Sequence, residues 1–444
     1  MRRYLKDKSV LKKCHIYQML RQFANRPHLS FHTPGHKIGR WDITELSFSD
    51  NLSCPRGCLA DAEKDIAEIL GAHKSFILTD GSTSGILSML HAARAMGVKS
   101  IAVCEASHKS VFNACALLGI TPLLYPQKTK EKIPFPYTMY ELNGDFSNIL
   151  KTADALFLTS PDYYGNIADL AQIRDFCDRE GKFLFIDGAH GGHLHFDKEL
   201  YAGKYADMWV DGVHKNLPAF TQGAVVSARN AFFAEKLRQA VDVFRTTSPS
   251  YPIMASVEYA VKYPQNTELE QAVLRFEKEQ DRIYFGGDWT KLCAVFGESA
   301  FEIEKLIEKQ GIYAEFCDGN IVMFYLSPAT SLRQFTRLKK CLISLFERYP
   351  LQREKQTKIN AKNDIQRNPA PVISFDIQET EWVDIAQAEG RICTISCGLF
   401  PPCTPLIQKG ERVTKEKIHL IKQANNVYGL LNDKIQVLKN KNEE

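Results

Sequence analysis

The chain has 444 residues, of which 44% are hydrophobic and 24% are charged, a composition typical of globular proteins that argues against disorder or a fibrous fold. Its 56 basic and 52 acidic residues give a formal net charge of +4 and are spread along the chain, so we expect no nucleic-acid partner. No apolar run is long enough to span a bilayer and the basic N-terminal stretch lacks a signal-peptide core, which predicts a cytoplasmic protein with no membrane partner.

Short apolar runs that end in Gly, Asp or Ser alternate with segments of helical periodicity over residues 74–223. KSFILTD, SIAVCEA, DALFLTS, KFLFIDGAH and MWVDGVHK are the apolar runs. Strands that alternate with helices predict a mainly parallel sheet covered on both faces. The predicted fold class is therefore α/β.

The chain divides into three predicted parts. Residues 1–30 form an N-terminal helical segment, residues 31–265 the large domain, and residues 266–444 a linking helix followed by a smaller α+β domain. Helical spacing and mixed charge place the linking helix at residues 266–295. The strongly polar residues 351–368 predict a loop inside the smaller domain.

Twelve cysteines occur in a chain without an export signal, so we expect reduced thiols rather than disulfides. Two pairs, Cys54 with Cys58 and Cys393 with Cys397, have three intervening residues instead of the two that are common in zinc sites. The sequence therefore predicts no structural zinc.

In an open α/β sheet, ligands bind beyond the carboxyl ends of the strands, so the residues after each apolar run are candidate site residues. Gly81, Ser82, Thr83, Ser84 and Gly85 follow FILTD and open a predicted helix. Their backbone N–H groups, the helix dipole and the three hydroxyls favour an anion such as phosphate. An ordinary Ser/Thr N-cap explains these residues about equally well.

Three further strand ends carry ionisable side chains. His108 follows IAVCEAS and can stack on a planar cofactor, although a structural histidine is the commoner explanation. Asp187 follows KFLFI, where a buried carboxylate needs a partner such as a cationic ring nitrogen, and a capping aspartate is the alternative. Lys215, next to His214, follows MWVDGV, and a partly desolvated lysine near other cations can form a Schiff base.

These four elements together are what a pyridoxal 5′-phosphate site requires: a phosphate-binding turn, a stacking ring, an acid for the pyridinium nitrogen and an imine-forming lysine. GAHGGHLHF also brings together His190, His193 and His195, which raises the alternative of a metal site. Their spacing does not match the HExxH motif, so we predict no metal and place His190 in the cofactor pocket.

At these residues the chain resembles a known family, the fold-type-I pyridoxal-phosphate decarboxylases of ornithine, lysine and arginine. The matching blocks are FHTPGHKIG, DGSTSGI, SHKSV, TSPDYYG, IDGAHGGHLHF, HKNLPAFTQGA, TTSPSYPIMAS and, more faintly, EGRICTISCGLFPPCTPL. The resemblance implies an aspartate-aminotransferase-like large domain in a short form without the N-terminal wing domain. It also implies a homodimer or higher homo-oligomer whose sites lie at the subunit interface, with PGHK and TTSPSY near a neighbour's pocket.

The resemblance implies a role for each matching residue. Catalysis falls to Lys215, His108 and Asp187, and cofactor binding to Ser82, Thr83, Ser84, His108, Asp187, His190, His214 and Lys215. The implied reaction is decarboxylation of arginine or lysine, or else ornithine, to a polyamine precursor. The same cofactor supports transamination and elimination, so an aminotransferase or lyase is one alternative, and a catalytically silent homologue is another.

The chain departs from the family pattern in three places. Gly212 stands three residues before the lysine, where many relatives carry a hydroxyl residue, and this predicts one phosphate contact fewer. DNLSCPRG at residues 50–57 replaces a block of aspartates and a histidine. PPCTP at residues 401–405 lacks the glycine of the family's PPG-x-P pattern.

Overall fold

The computed structural model describes residues 5–37, 40–125, 145–351, 379–399, 405–423 and 427–439. The predicted polar loop after residue 351 and the altered proline block up to residue 404 lie outside these ranges. Among the helices in the described ranges, none combines the length and the apolar character needed to cross a membrane.

A seven-stranded mixed sheet forms the centre of the large α/β unit. Its strands are β1 (Lys74–Leu78), β2 (Ser100–Cys104), β3 (Thr121–Tyr125), β4 (Ala155–Thr159), β5 (Phe183–Gly188), β6 (Met208–Asp211) and β7 (Ala224–Ala228). The spatial order is β1-β7-β6-β5-β4-β2-β3. Strands β3, β2, β4, β5 and β6 are parallel, whereas β7 is antiparallel to both of its neighbours. The α/β fold class predicted from the sequence is confirmed.

Helices cover both faces of this sheet, because successive strand residues point to opposite sides. Leu184 and Ile186 join one buried cluster with the residues of the early helices, while Phe185 between them joins a second cluster on the other face. The helices are α1 (Lys8–Leu11), α2 (His15–Asn25), α3 (Cys58–Leu70), α4 (Gly81–Ala95), α5 (Lys109–Leu118), α6 (Asp145–Thr152), α7 (Leu170–Arg179), α8 (Val213–Asn216), α9 (Ala231–Phe244) and α10 (Tyr251–Val261).

The N-terminal helices are fastened to the large unit by a buried carboxylate. Glu258 on α10 is fully buried and accepts hydrogen bonds from the backbone N–H groups of His15 (2.7 Å) and Ile16 (2.9 Å), at the start of α2. The Lys262 ammonium lies 2.8 Å from the same carboxylate and 2.5 Å from Asp65. One carboxylate thus satisfies two unpaired N–H groups at the helix N-terminus, where negative charge is favourable.

A second unit, residues 267–349, has its own buried cluster. It comprises α11 (Thr267–Glu279), β8 (Ile283–Tyr284), β9 (Lys291–Val295), α12 (Ala300–Lys309), β10 (Phe316–Cys317), β11 (Ile321–Tyr325) and α13 (Leu332–Arg348), with an antiparallel sheet in the order β10-β11-β9-β8. The helix expected through residue 295 is wrong, because it ends at Glu279. Gly286 and Gly287 interrupt the pattern, and the apolar run KLCAV forms a strand.

A third unit holds a separate, smaller buried cluster. It comprises β12 (Thr380–Asp384), β13 (Cys397–Leu399), β14 (Pro405–Ile407), α14 (Lys415–Gln423), β15 (Val427–Tyr428), β16 (Leu430–Leu431) and β17 (Lys434–Leu438), in two three-stranded sheets. The division at residues 30 and 265 stays a prediction, and we propose it as the domain organisation.

The buried Glu258 carboxylate provides a test of how α2 is held. We predict that Glu258→Gln lowers the free energy of unfolding by about 3 kcal/mol, because a buried ion pair loses one partner and an amide N–H then faces other donors. Urea unfolding followed by tryptophan fluorescence measures this change. The control is Glu199→Gln, which removes an exposed ion pair with Lys204 and should leave unfolding unchanged. Equal effects of the two substitutions would contradict the account.

Candidate active site

A cavity of about 430 Å³ opens at the carboxyl ends of the parallel strands. Seven of the eight predicted site residues line it: Ser82, Thr83, His108, Asp187, His190, His214 and Lys215. They follow the ends of β1, β2, β5 and β6, of which β5 and β6 are neighbours in the sheet while β7 lies between β1 and β6 and β4 lies between β5 and β2. The eighth, Ser84, is not among the residues that line the cavity.

The N-terminus of α4 forms one wall. Gly81 has φ +74°, a backbone conformation that glycine adopts without strain, and it turns the chain from β1 into the helix. The Ser82 hydroxyl is buried and has no hydrogen-bond partner among the described residues, whereas Ser84 donates to the Gly81 carbonyl oxygen at 3.0 Å. A buried hydroxyl beside the positive end of a helix dipole is suited to bind an anion.

Packing explains the departure at Gly212. A Cβ added there would overlap the Ala189 carbonyl oxygen and lie 2.9 Å from the Ser82 hydroxyl oxygen. The turn after β6 therefore passes directly over the end of β5 and over α4. In this chain a side chain at position 212 has no room between the Ala189 backbone and Ser82.

Asp187 lies at the end of β5, with its side chain almost fully buried. Its Oδ1 accepts a hydrogen bond from the Ala189 N–H at 3.0 Å. Burial raises the pKa of this carboxyl, against the opposing effects of the Lys215 charge and the Ala189 hydrogen bond. A cationic group in the cavity would stabilise its charged form.

Lys215 reaches the cavity because β6 ends at Asp211 and α8, a single turn, follows at once. Its Nζ lies 3.1 Å from His190 Nε2. The pKa of His190 is held well below its usual value by burial and by nearby positive charges, first that of Lys215. The neutral ring accepts a hydrogen bond from Lys215 Nζ at Nε2, so its Nδ1–H faces the Tyr325 hydroxyl oxygen, 3.3 Å away.

His108 and His214 are fixed by local backbone. The Ser110 N–H donates to His108 Nδ1 at 3.2 Å, and burial lowers the pKa of His108 to about 4, with the Lys215 charge as the next cause. Its ring is therefore neutral. His214 Nδ1 lies 2.9 Å from the Gly223 carbonyl oxygen, to which it donates, and burial lowers its pKa as well.

Several cavity residues were not identified from the sequence. Ser107 and Tyr163 line the cavity and lie in the SHKSV and TSPDYYG blocks, which were recognised without assigning them a role. Phe316 comes from the second unit, where no motif marked it. The remaining histidines of GAHGGHLHF turn elsewhere: His193 Nε2 lies 2.9 Å from Asp288, and His195 Nδ1 lies 2.7 Å from the Gly192 carbonyl oxygen.

Residues 40–280, more than half of the chain, match the family model described as Orn/Lys/Arg decarboxylase, major domain. The chain belongs to the Orn/Lys/Arg decarboxylase family. The uncharacterized protein YaaO of Bacillus subtilis is 28% identical over 451 residues, covering 91% of this chain and 92% of YaaO. The arginine decarboxylase of Bacillus subtilis is 25% identical over 460 residues, covering 91% of this chain and 92% of that enzyme.

The fold of this Orn/Lys/Arg decarboxylase family member is shared with solved structures. The structure of the constitutive lysine decarboxylase of Escherichia coli aligns with a TM-score of 0.72 at 18% identity and covers 97% of this chain and 82% of that chain. The fold-type-I architecture expected from the sequence is confirmed.

The close packing around Gly212 can be tested by placing there the hydroxyl residue that many relatives carry. We predict that Gly212→Ser weakens pyridoxal-phosphate binding and destabilises the fold by about 1–3 kcal/mol, because the new Cβ overlaps backbone. Cofactor titration and thermal unfolding measure the two effects. Gly192→Ala is the matched control, since its added Cβ would meet its nearest neighbour at an ordinary 3.6 Å. Tighter cofactor binding by Gly212→Ser would contradict this packing argument.

Proposed function

We propose that this protein is a pyridoxal-phosphate-dependent decarboxylase of a basic amino acid. The observation that carries the proposal is the meeting of Lys215, Asp187 and the Ser82 hydroxyl, which has no hydrogen-bond partner within the described ranges, in one cavity at the strand ends. Membership of the Orn/Lys/Arg decarboxylase family supports the reaction class.

The residues present fit the cofactor. An orphaned hydroxyl at the N-terminus of α4 suits a phosphate oxygen, and we propose Ser82, Thr83 and the helix N–H groups as its main ligands, with His214 nearby. Ser84 stays a predicted ligand, whose hydroxyl would first have to leave the Gly81 carbonyl. Asp187 would face the ring nitrogen, His108 the ring plane and His190 the ring edge.

Bound pyridoxal phosphate supplies an electron sink for the pair released when the α-carboxylate leaves as CO₂. Asp187 would keep the ring nitrogen protonated, because its buried carboxylate needs a positive partner. His190 would stay neutral and accept a hydrogen bond from Lys215 at Nε2, which orients the lysine amine while its proton stays on the lysine nitrogen. Neutral His108 would pack against the ring without adding positive charge.

Arginine is the first candidate substrate. The Bacillus subtilis arginine decarboxylase aligns with 91% of this chain, whereas the Escherichia coli constitutive lysine decarboxylase aligns in sequence with 54% of it. Lysine is the second candidate and ornithine the third. We propose further that the product amine enters polyamine synthesis in the cytoplasm.

We also propose that the protein is a homodimer, or a higher homo-oligomer, with sites at the subunit interface. Leu29 and Phe31 are 86% and 91% exposed, next to the PGHK block. Large apolar side chains this exposed, beside a block that the family shares, are suited to pack on a second subunit.

The decisive experiment uses the purified chain with added pyridoxal phosphate and arginine, lysine or ornithine labelled at the carboxyl carbon. We expect labelled CO₂ and the matching amine from arginine, and no CO₂ from the Lys215→Ala variant. A keto acid without CO₂ would favour an aminotransferase, and bound cofactor without any product would favour a silent homologue. Either result would overturn the proposed decarboxylase.

A carboxylate beside the cavity suits the cationic side chain of such a substrate. Glu315 accepts a hydrogen bond from the Tyr163 hydroxyl at 3.2 Å, and it adjoins Phe316, which lines the cavity. Glu315 is exposed at its edge, yet partial desolvation by its neighbours raises its pKa, and the Tyr163 hydrogen bond and the positive charges of Lys215 and Lys291 oppose that rise. A bound guanidinium or ammonium group would favour the ionised carboxylate further.

We predict that Glu315→Gln raises KM for the preferred substrate about tenfold with little change in kcat, because a charge-assisted hydrogen bond to a non-reacting group is lost. Steady-state CO₂ release measures both constants. Glu308→Gln, an exposed change on α12, should alter neither. A drop in kcat at unchanged KM would show that Glu315 acts elsewhere than on the substrate's distal cation.

A further inference from the structure

A fully buried lysine lies behind the site. Lys291 begins β9 in the second unit and is fully buried. Its Nζ lies 3.3 Å from Asp288 Oδ2 and 3.2 Å from the Thr290 hydroxyl oxygen. It is not among the residues that line the cavity.

Asp288 is the buried counter-charge. Its Oδ1 accepts hydrogen bonds from the Thr290 N–H at 2.9 Å and the Thr290 hydroxyl at 2.7 Å, and lies 2.9 Å from His193 Nε2. Burial alone would raise its pKa, but His193 and Lys291 outweigh that effect and hold the pKa well below its usual range. Burial lowers the pKa of Lys291, and the Asp288 charge opposes that fall, so the two groups form an ion pair sealed from water in which each charge supports the other.

The Lys291 ammonium also reaches the chain segment that carries Lys215. The amide of Asn216 satisfies both of its ends when its nitrogen donates to the His190 carbonyl oxygen at 2.8 Å and its oxygen accepts from Lys291 Nζ at 2.5 Å. Asn216 is fully buried and follows Lys215 directly. One cation thus ties the α8 turn to the backbone of His190.

A second connection runs through Tyr325. The Lys291 ammonium lies 4.2 Å from the centre of the Tyr325 ring, within the range of a cation–π interaction. The Tyr325 hydroxyl donates to the Tyr163 carbonyl oxygen at 2.9 Å and faces His190 Nδ1 at 3.3 Å. The ammonium therefore contacts two side chains that each touch His190.

The last residue of the block TSPDYYG, Gly165, packs closely against Lys291. Gly165 has φ +86°, and a Cβ there would lie 2.8 Å from Lys291 Cγ and 3.2 Å from Asp288 Cβ. The Asp288 N–H donates to the Gly165 carbonyl oxygen at 3.1 Å. Three of the matching blocks therefore contact Asp288 or Lys291: TSPDYYG through Gly165, IDGAHGGHLHF through His193, and HKNLPAFTQGA through Asn216.

Stability is a weak explanation for this arrangement. Removing two charges from water costs several kcal/mol for each ion, and well-packed apolar side chains of similar volume often stabilise a fold as much or more. The Lys291 ammonium, by contrast, both donates to the Asn216 oxygen and lies against the Tyr325 ring, two contacts that an apolar side chain would not make together. Function at the neighbouring site is the better explanation.

We propose that Lys291 is a positioning residue, whose buried ammonium holds Asn216 and Tyr325 against His190 and so sets the position and charge state of the Lys215–His190 pair. The proposal rests on the proposed role of Lys215 in cofactor attachment. It makes the second unit an electrostatic part of the active site.

The protonation of the His190 ring depends on the ionisable groups that surround it. The groups that face the Lys215–His190 pair are His108, Asp187, His214, Lys291, Glu315, Tyr163 and Tyr325. The positive charge of Lys291 adds to burial and to Lys215 in keeping the pKa of His190 low. Removing that charge removes repulsion of the protonated imidazole, so the pKa must rise.

The test uses Lys291→Met, which keeps much of the side-chain length and removes the charge. NMR of histidine-labelled protein without cofactor, with the His190 signal assigned through His190→Gln, follows the titration of that ring. We expect the His190 titration midpoint to move upward and, in the cofactor-loaded enzyme, kcat to fall roughly 10- to 100-fold, as for misplaced reacting groups. The NMR result requires no decarboxylase activity, so it separates this proposal from the proposed function.

Arg282→Met is the matched control. Arg282 is a buried cation of the same unit whose guanidinium donates to the carbonyl oxygens of Val295, Phe346 and Tyr349, none of which lines the cavity. It should lose stability but keep the wild-type His190 titration and kcat. The proposal is overturned if Lys291→Met leaves both the midpoint and kcat as in wild type, or if Arg282→Met changes them equally.

Discussion

The burial of the Asp187 carboxylate opposite Lys215 is the interaction on which the site depends. A carboxylate at the end of a central strand is removed from water by the helices on both faces, and its pKa rises as a result. The nearby lysine charge and one backbone N–H only partly offset this cost. A cationic ring nitrogen placed in the cavity would relieve this cost, so the burial that raises the pKa of Asp187 also suits the pyridinium nitrogen of the proposed cofactor.

Close packing of backbone segments fixes the positions of the side chains around Asp187. Gly212 lets the turn after β6 pass over β5, and Gly165 lets the loop after β4 lie on Lys291. The segment that contains Gly212 carries Lys215 to the cavity, and the segment that contains Gly165 carries Tyr163 to it. The second unit then closes the site with Phe316 and, behind His190, with the Lys291 ammonium.

The sequence predicted the strand-end residues because parallel strands bring their carboxyl ends to one edge, so Asp187 and Lys215 had to meet near His108. Their roles remain predictions. Long-range packing accounts for what was missed: Lys291 lies in a segment without a recognised motif, and its position depends on contacts between two units. The expected helix through residue 295 was wrong because periodicity beyond Glu279 was outweighed by two glycines and an apolar strand.

Peptide mapping after borohydride reduction of the protein with pyridoxal phosphate shows which lysine carries the cofactor. Lys215 is partly buried and lines the cavity, whereas the nearby Lys291 is fully buried and does not line it. The account predicts that the reduced cofactor is found on the peptide containing Lys215. Attachment at Lys291, or at a surface lysine with Lys215 unmodified, would contradict it.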